Sequence, residues 1–428
     1  MLIRTKTNYG NKFESMSYPT KKLGDCLAQF DRGISWSRKD EGGTVAVLRI
    51  PNIQEGHINL DDLKHISAKN GNGELHKNDI VMVASNGNPD LVGRSALVTE
   101  KEKGMRFASF LVRLRLDNTK LLSHYAHLFL LTPTFKRELR RKIATTSGIY
   151  NLRKEHVEKI EIPLPPLTTQ KQIVERLDKI TEAQKLNDGL IQKTDELFQS
   201  LLHEKLNPHT KNFGVGVNPA GPADAKAMAG KKDWGVKKLG DLVEVKGGKR
   251  VPKGMNFSPI KTDHPYLRVT DFVDGSIDMG NLKYIDEKIF EHIKRYIISS
   301  RDIYISIAGT IGLVGKVPKE LEGANLTENA AKLLINDKII DKDFLIFSLS
   351  TNKAKNQIKI FTQAVGVPKL ALERIEKIKI SLPPLKIQKQ IVAKLSAVQD
   401  YKKQLLEQKA KLKELFDSAL AKSMSKDA

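Results

Sequence analysis

The chain has 428 residues, too many for one ordinary core, and predicts two to three domains. The hydrophobic content of 40% is typical of a globular protein, and the single cysteine, Cys26, cannot form an internal disulfide. The sequence has no apolar run of roughly 18–20 residues, and its start lacks the apolar core of a signal peptide, so a cytoplasmic protein is predicted. The net charge of +22 favours a nucleic-acid partner, and an aromatic content of only 6% favours duplex over single strands. A merely basic protein, or one that docks on an acidic partner, is the alternative.

Residues 1–159 are predicted to form a globular module. Short strand-like runs such as GTVAVLRI (43–50) and DIVMVAS (79–85) alternate with turn residues and a few helical stretches. This mixture is typical of an α+β domain.

Residues 160–206 are predicted to carry a long helix. The stretch PLPPLTTQKQIV (163–174) opens it, and its prolines cannot enter a helix interior, so they form a rigid approach. Thr169 and Gln172 have the spacing of a capping box. The apolar residues then alternate at four and three, as in a coiled-coil seam: Ile173, Leu177, Ile180, Ile191 and Phe198, interrupted by Gln184 and Asn187.

A linker rich in Gly, Pro and Ala is predicted at 207–233, after which the plan repeats. Residues 234–377 resemble the first module in pattern, and 378–428 form a second long helix that opens with SLPPLKIQKQIV (381–392). Residues 160–202 and 378–420 are identical at 19 of 43 positions at an offset of 218. We therefore infer a tandem duplication of one module with its helix.

The second helix has a similar seam: Ile391, Leu395, Val398, Leu405, Leu412 and Phe416, interrupted by Lys402 and Lys409. We expect the two helices to pack on each other, with the polar positions helping to set register. Two independent surface helices remain the alternative.

No complete catalytic motif occurs in the sequence. GTIGLVGKV (309–317) lacks the first glycine and the final Ser/Thr of a phosphate loop, and neither a metal-binding histidine pair nor a nucleophile elbow is present. Catalysis by this chain alone is therefore not expected, and neither a metal nor a catalytic residue is predicted.

These residues resemble the specificity subunit of type I restriction–modification systems. The resemblance is carried by IEIPLPPLTTQKQIVERL (160–177) and IKISLPPLKIQKQIVAKL (378–395), supported by VKGGKRVPKG (245–254) and YLRVTDF (266–272). It implies two α+β target-recognition domains separated by two long antiparallel coiled-coil helices, with pseudo-two-fold symmetry.

The resemblance also implies a non-catalytic subunit that reads a bipartite, asymmetric site in double-stranded DNA. Its implied partners are two modification (methyltransferase) subunits and restriction (translocase/nuclease) subunits, with no membrane involved. S-adenosylmethionine, ATP and Mg are expected on those partners, and no cofactor on this chain. Two alternatives remain: a coiled-coil DNA-binding scaffold or regulator without a modification partner, and a methyltransferase with degenerate motifs.

The candidate DNA-binding residues are cationic and polar side chains in loop-like stretches of both modules. In the first module they are Arg32, Ser35, Trp36, Ser37, Arg38, Lys39, Arg49, Asn86, Asn88, Arg94 and Tyr150. In the second they are Lys246, Lys249, Arg250, Lys253, Arg268, Thr270 and Asp271. Arg49 and Arg268 hold equivalent places, which suits phosphate or framework contacts better than reading different bases.

Overall fold

The computed structural model describes residues 18–67, 73–143, 148–206, 234–362 and 368–424. The chain divides into two compact units, one of residues 1–189 and 406–428 and one of residues 190–405. The predicted linker, 207–233, lies outside the described residues. The α+β class is confirmed, with a similar module and a long helix in each half of the sequence.

The first module contains two main sheets. A four-stranded antiparallel sheet has the order β2–β9–β5–β7, and a second sheet pairs β3 antiparallel to β4 and parallel to β8. The strands are β1 (Thr20–Lys22), β2 (Leu27–Arg32), β3 (Glu41–Leu48), β4 (Lys64–Ile66), β5 (Ile80–Val83), β6 (Ser85–Asn86), β7 (Ser95–Leu97), β8 (Arg106–Phe107), β9 (Leu111–Leu116), β10 (Tyr150–Asn151) and β11 (Glu161–Pro163). The helices are α1 (Ser123–Leu130), α2 (Pro133–Lys142), α3 (Lys154–Glu158) and the long α4 (Leu167–Leu206).

The second module repeats this topology. Its four-stranded sheet has the order β13–β22–β19–β20, and its other large sheet the order β17–β14–β21–β18, with β14 parallel to β21. The strands are β12 (Gly235–Lys238), β13 (Val243–Gly247), β14 (His264–Leu267), β15 (Phe272–Val273), β16 (Ser276–Ile277), β17 (Lys283–Ile285), β18 (Ile297–Ile298), β19 (Ile303–Ser306), β20 (Val314–Lys316), β21 (Ala324–Leu326), β22 (Ala330–Ile335) and β23 (Lys379–Leu382). The helices are α5 (Glu287–Ile293), α6 (Lys342–Ser350), α7 (Asn352–Thr362), α8 (Leu372–Glu376) and the long α9 (Leu385–Ser423).

One of the two inner strands of each four-stranded sheet is mainly apolar because it is covered on both faces. All four residues of β5 (Ile80–Val83) and all four of β19 (Ile303–Ser306) are buried. Each strand begins one residue after an aspartate that accepts a hydrogen bond from a backbone N–H three residues earlier, His76 for Asp79 and Ser299 for Asp302. A strand that is buried on both faces does not alternate between apolar and polar residues.

The duplicated proline motif contains a buried glutamine that ties each long helix to its module. The Gln170 side chain, 0% exposed, accepts from Leu122 N at 2.9 Å and donates to Lys120 O at 3.1 Å and Pro165 O at 2.9 Å. Gln388, also 0% exposed, occupies the same position in the second copy. It accepts from a backbone N–H at 2.7 Å and donates to two carbonyls at 3.1 and 2.8 Å.

The capping box expected at Thr169 and Gln172 is wrong. Helix α4 already begins at Leu167, so Thr169 lies inside its first turn and cannot be the residue that precedes the helix. The helix follows Pro166 directly and so starts three residues earlier than the box requires, and α9 begins at the equivalent Leu385.

Within the first unit, the start of α4 runs antiparallel to the end of α9. Gln184 Nε2 donates to Leu412 O at 3.2 Å, and Lys409 pairs with Asp188 at 2.9 Å. The residue numbers of these contacts rise along α4 as they fall along α9, which makes the two helices antiparallel. The seam residues Ile173, Leu177 and Ile180 are buried in the core of this unit, where Phe416 packs against them.

Within the second unit, the remaining halves of the two helices pair in the same sense. Phe198 packs against the core that contains the buried seam residues Ile391 and Leu395. Lys402 pairs with Asp195 at 2.6 Å, so this lysine in an apolar register has a specific partner. Of the other seam positions, Leu405 is 3% exposed, while Ile191, Val398 and Leu412 are half-buried.

Candidate DNA interface

In each module the predicted basic stretch starts where the first strand of the four-stranded sheet ends. The next residue is a glycine, Gly33 or Gly248, and the chain crosses the second sheet directly after it. Ile34 N donates to Phe107 O at 2.8 Å in the first module, and Lys249 N donates to Leu326 O at 2.8 Å in the second. A Cβ on Gly33 would lie 2.2 Å from Phe107 O, and one on Gly248 2.1 Å from a backbone oxygen. The glycine therefore serves a close approach between two segments of this chain.

A cleft of about 660 Å³ follows this crossing in the second module. Three of the predicted residues, Arg250, Arg268 and Thr270, line it. Further lining residues come from distant parts of the module: Phe257, Tyr266, Thr310, Glu328 and Asn329. The cleft thus combines cationic, acidic, amide, hydroxyl and aromatic groups, which suits the recognition of base edges and phosphates.

An ion pair between Arg250 and Glu328 is the main electrostatic feature of this cleft. Arg250 Nε lies 2.5 Å from Glu328 Oε1, and the arginine side chain is 77% exposed. Burial works to raise the pKa of the Glu328 carboxyl, but hydrogen bonds from Arg250 and Thr327 outweigh it, so the pKa lies below its ordinary value. The carboxylate is ionised at neutral pH and holds the guanidinium at the mouth of the cleft.

Aromatic packing orients the wall of the cleft. The rings of Phe257 and Tyr266 lie 5.2 Å apart, and Tyr266 Oη donates to Lys249 O at 2.8 Å. Burial raises the pKa of the Tyr266 hydroxyl, which keeps it protonated as a donor. The Lys249 ammonium lies 5.8 Å from the centre of the Tyr296 ring.

Arg49 and Arg268 hold equivalent half-buried positions in the two modules. Arg49 Nη2 donates to Asp62 O at 2.8 Å and to the Asp62 carboxylate at 2.7 Å. Arg268 Nη2 donates to Asn281 O at 2.9 Å and to Asp271 Oδ1 at 2.6 Å. Each guanidinium therefore closes its own loop, which is the framework role that their equivalence suggested. A phosphate contact by either stays a prediction.

Asp271 is only 2% exposed. Its carboxylate accepts hydrogen bonds from the backbone and guanidinium of Arg268, and Thr270 Oγ1 lies 3.4 Å from it. In this structure the acceptor atoms of Asp271 serve the loop, while Thr270 faces the cleft. The other two predicted cations are exposed: Lys246, paired with Glu244 at 2.9 Å, and Lys253.

Three predicted residues of the first module come together at the corresponding crossing. Arg32 donates to Leu152 O at 3.3 Å and to Ser85 Oγ at 3.5 Å. Ser85 belongs to β6, in which Asn86 pairs directly with Tyr150 of β10. The structure therefore places Arg32, Asn86 and Tyr150 around one small two-stranded sheet.

The other predicted residues of the first module have mixed environments. Asn88 N donates to Asn86 Oδ1 at 2.8 Å, which shapes the loop, and Arg94 donates inward to Ile53 O at 3.4 Å. Ser37 donates to Asp40 at 2.8 Å from both its backbone N–H and its hydroxyl. The remaining four lie on the same loop: Trp36, half-buried, and Ser35, Arg38 and Lys39, exposed.

Glu328, Asn329 and Thr310 were not predicted from the sequence, because they lie far along the chain from the basic stretch. Strand β21 brings residues 327–329 beside it through its parallel pairing with β14. Leu267 follows Leu48 by 219 residues, and at that offset Glu328 corresponds to Ser109 and Asn329 to the exposed Phe110, which the sequence did not single out either.

Among the described residues, no helix combines the length and apolarity needed to cross a bilayer. In that same part of the chain, no three His, Cys, Asp or Glu side chains converge as metal ligands.

Comparison with known proteins gives a consistent result. The type I restriction enzyme MjaVIII specificity subunit of Methanocaldococcus jannaschii is 25% identical over 360 residues, 82% of this chain and 78% of the relative. The EcoBI specificity subunit of Escherichia coli is 24% identical over 274 residues, 61% of this chain and 57% of the relative.

Two solved structures share the fold. A chain from a study of complex assembly and conformational transition of the type I R-M system has a TM-score of 0.62 at 17% identity, covering 95% of this chain and 97% of that one. The type I restriction–modification S subunit of M. genitalium has a TM-score of 0.56 at 16% identity, covering 97% and 98%. The family described as type I restriction modification DNA specificity domain matches residues 19–195 and 231–415. The chain therefore belongs to the type I restriction–modification specificity family, with one DNA specificity domain in each half.

Proposed function

We propose that this chain is the non-catalytic, cytoplasmic subunit that selects DNA for a type I restriction–modification complex, and that each module reads one half of a bipartite, asymmetric duplex site. The observation that carries the proposal is the duplication itself: one framework occurs twice, and its crossing is lined differently in the two copies. A chain with two DNA-recognition modules requires two sub-sites in the DNA.

Different side chains at equivalent positions support two different half-sites. Relative to the crossing glycine, Lys249 corresponds to Ile34 and Arg250 to Ser35. Beyond β21, Asn329 corresponds to the exposed Phe110. Cations and amides donate to base edges, whereas an aromatic ring offers only apolar contact or stacking, so the copies should select different bases.

The Arg250–Glu328 pair matches one type of base pair. A guanidinium donates to O6 and N7 of guanine, while a carboxylate accepts from N4 of cytosine. Since both groups line one cleft, a G·C pair read by the second module is the best fit. Exposed cations of the two modules then bind phosphates and set the register.

The two long helices suit the role of a spacer between the half-sites. Helix α4 has 40 residues and α9 has 39. Antiparallel pairing, with a polar contact at Gln184 and ion pairs at Lys402 and Lys409, gives the pair a defined register. A spacer of fixed length demands a fixed number of unread base pairs.

The exposed leucines of these helices support the docking of partner subunits. In the first unit Leu186 is 65% and Leu415 47% exposed. In the second unit Leu190 is 43% and Leu197 50% exposed. Leu186, Leu190 and Leu197 recur at spacings of four and seven, so they share one face of α4, and an exposed apolar stripe of this kind fits a protein partner. We assign this surface to two modification subunits, which would carry S-adenosylmethionine, while restriction subunits that use ATP and Mg complete the complex.

Co-expression with a modification subunit tests the proposal. Adenine methylation mapped across the host genome should report a bipartite motif with two different halves and a constant gap. Replacing residues 234–362 by the same segment of a different specificity subunit should change one half and leave the other unchanged. A pair that methylates nothing, or that methylates a continuous palindrome, contradicts the proposal.

A further inference from the structure

A second cavity, of about 230 Å³, lies in the second unit and shares no lining residue with the DNA cleft. The end of α4, the corner between α6 and α7, and β23 form its walls. The polar residues that matter for its chemistry are His203, Ser348, Asn352, Lys353, Lys379 and Ser381. No Asp or Glu is among the described residues that line it.

The N-terminus of α7 faces this cavity. Thr351 precedes the helix, and its Oγ1 accepts from Ala354 N at 3.2 Å, which satisfies the third N–H of the helix. The first two N–H groups, of Asn352 and Lys353, have no acceptor within the helix. Asn352 and Lys353 both line the cavity, where the positive end of the helix dipole favours an anion.

Ser348 provides independent evidence for a ligand. The residue is 5% exposed, lines the cavity, and its Oγ has no hydrogen-bond partner among the described residues. A buried hydroxyl without a partner is costly in a folded protein, so a group that completes its hydrogen bonding is expected.

Lys379 is held at the opposite wall. Gln357 accepts from Lys379 N at 2.8 Å and donates to Lys379 O at 2.9 Å. This clamp fixes the backbone of Lys379 at the edge of the cavity, while its side chain remains exposed to solvent. The flexible Lys379 side chain can therefore turn toward a ligand at the edge of the cavity.

The first module lacks the groups that open this cavity. Thr132 starts α2 as Thr351 starts α7, which sets an offset of 219 between the two corners. At that offset Ser348 corresponds to Phe129, and the alanine of α7 corresponds to Phe135. The two phenylalanine rings meet edge to face at 6.0 Å and fill the first module's corner with apolar atoms.

The charges and the hydrogen-bond donors of the two corners also differ, and both differences favour an anion in the second module. Pro133 replaces Asn352 and removes one helix N–H, and Glu161 stands where the second module has Lys379. Four substitutions thus convert a filled corner with an acidic neighbour into an open basic cavity. Framework duplication alone does not account for that pattern.

We infer that this cavity binds the phosphate group of a small ligand. Two backbone N–H groups, the Ser348 hydroxyl and the Lys379 ammonium supply donors for phosphate oxygens, and Leu202 and Ile380 provide apolar walls for a small organic group. The depth of Ser348 and the volume of about 230 Å³ suit a free phosphate ester and not the backbone of a duplex. The site goes beyond DNA recognition and makes no use of the proposed reading clefts.

Inorganic phosphate is the probe for the first test. The full chain is titrated with phosphate at constant ionic strength, with binding followed by calorimetry and by phosphorus NMR line width. Saturable binding is expected, and Lys379→Glu should weaken it at least tenfold. Lys359→Glu, the same charge change on α7 outside the cavity lining, should leave the affinity unchanged.

Ser348→Ala separates binding from folding. Without phosphate, this variant should be at least as stable as the parent chain, because it removes a hydroxyl without a partner. With phosphate, it should show a smaller rise in melting temperature than the parent chain. A parent chain without saturable binding, or an equal loss in Lys359→Glu, overturns the inference. So does displacement of phosphate by a duplex of unrelated sequence, since the site would then bind DNA phosphates.

Discussion

The buried glutamine of the duplicated motif permits a direct test of what the repeat does. Methionine has a similar length, so Gln388→Met removes the polar atoms and leaves the volume nearly unchanged. In the structure, Gln388 makes three hydrogen bonds, at 2.7, 3.1 and 2.8 Å, to backbone groups of Asp341, Ile339 and Pro383. The change leaves one N–H and two carbonyls without these partners.

The size of the effect follows from the burial of those groups. The bond to Pro383 O is buried and the other two are half-buried, so water can replace only some of what is lost. At about 1 kcal/mol for each half-buried bond and about 1–2 kcal/mol for the buried one, the free energy of unfolding should fall by about 3–4 kcal/mol. For a unit of this size that corresponds to a fall of about 6–16 °C in melting temperature.

Calorimetry with hydrogen exchange provides the assay. Gln388→Met should lower a melting transition and raise exchange near residues 339–345, and Gln170→Met should do the same near residues 118–125. The exposed Gln390 and Gln172 give matched control variants to Met on the same helices. A melting temperature for Gln388→Met no lower than that of Gln390→Met would refute the reasoning.

Four further predictions concern the reading cleft, the spacer and the docking surface. Arg250→Ala should weaken binding to the specific site by about 1–3 kcal/mol, with the loss confined to one base of the second module's half-site; fluorescence anisotropy on single-base variants measures it. The pKa of Glu328 is lowered, so its ion pair contributes stability at neutral pH that is lost as pH falls through that lowered pKa; urea unfolding of Glu328→Gln and of the parent chain should differ at neutral pH and converge in acid. Inserting seven residues after both Leu186 and Lys411 should lengthen the helix pair by about 10.5 Å, which corresponds to about three more unread base pairs at ~3.4 Å each. Both half-site sequences should stay unchanged in the methylation map. Altered bases in either half-site would mean that the helices take part in base reading. Leu197→Asp should reduce co-purification of the modification subunit while duplex binding persists, and undiminished recovery would remove this leucine from the docking surface.

The sequence by itself determined the plan of the molecule, because the plan depends on local patterns. The proline motif, the heptad spacing and the helix lengths are all short-range properties, and their recurrence at one offset revealed the duplication. Both long helices begin at the last leucine of their proline motif, Leu167 and Leu385. Gln170 and Gln388 were visible as repeated residues, but two of the three backbone partners of each lie about 50 residues away.

Only the tertiary structure decided which side chains share a site. The direction of a side chain on a strand depends on sheet register, and β14–β21 pairing brings Glu328 to Arg250 across 78 residues. Contacts only 3 and 13 residues away turn Arg268 into its own loop, where Asp271 is buried. The packing of the end of α4, the α6–α7 corner and β23 forms the cavity and leaves the Ser348 hydroxyl without a hydrogen-bond partner among the described residues. Local pattern specifies the elements, whereas non-local pairing specifies the sites between them.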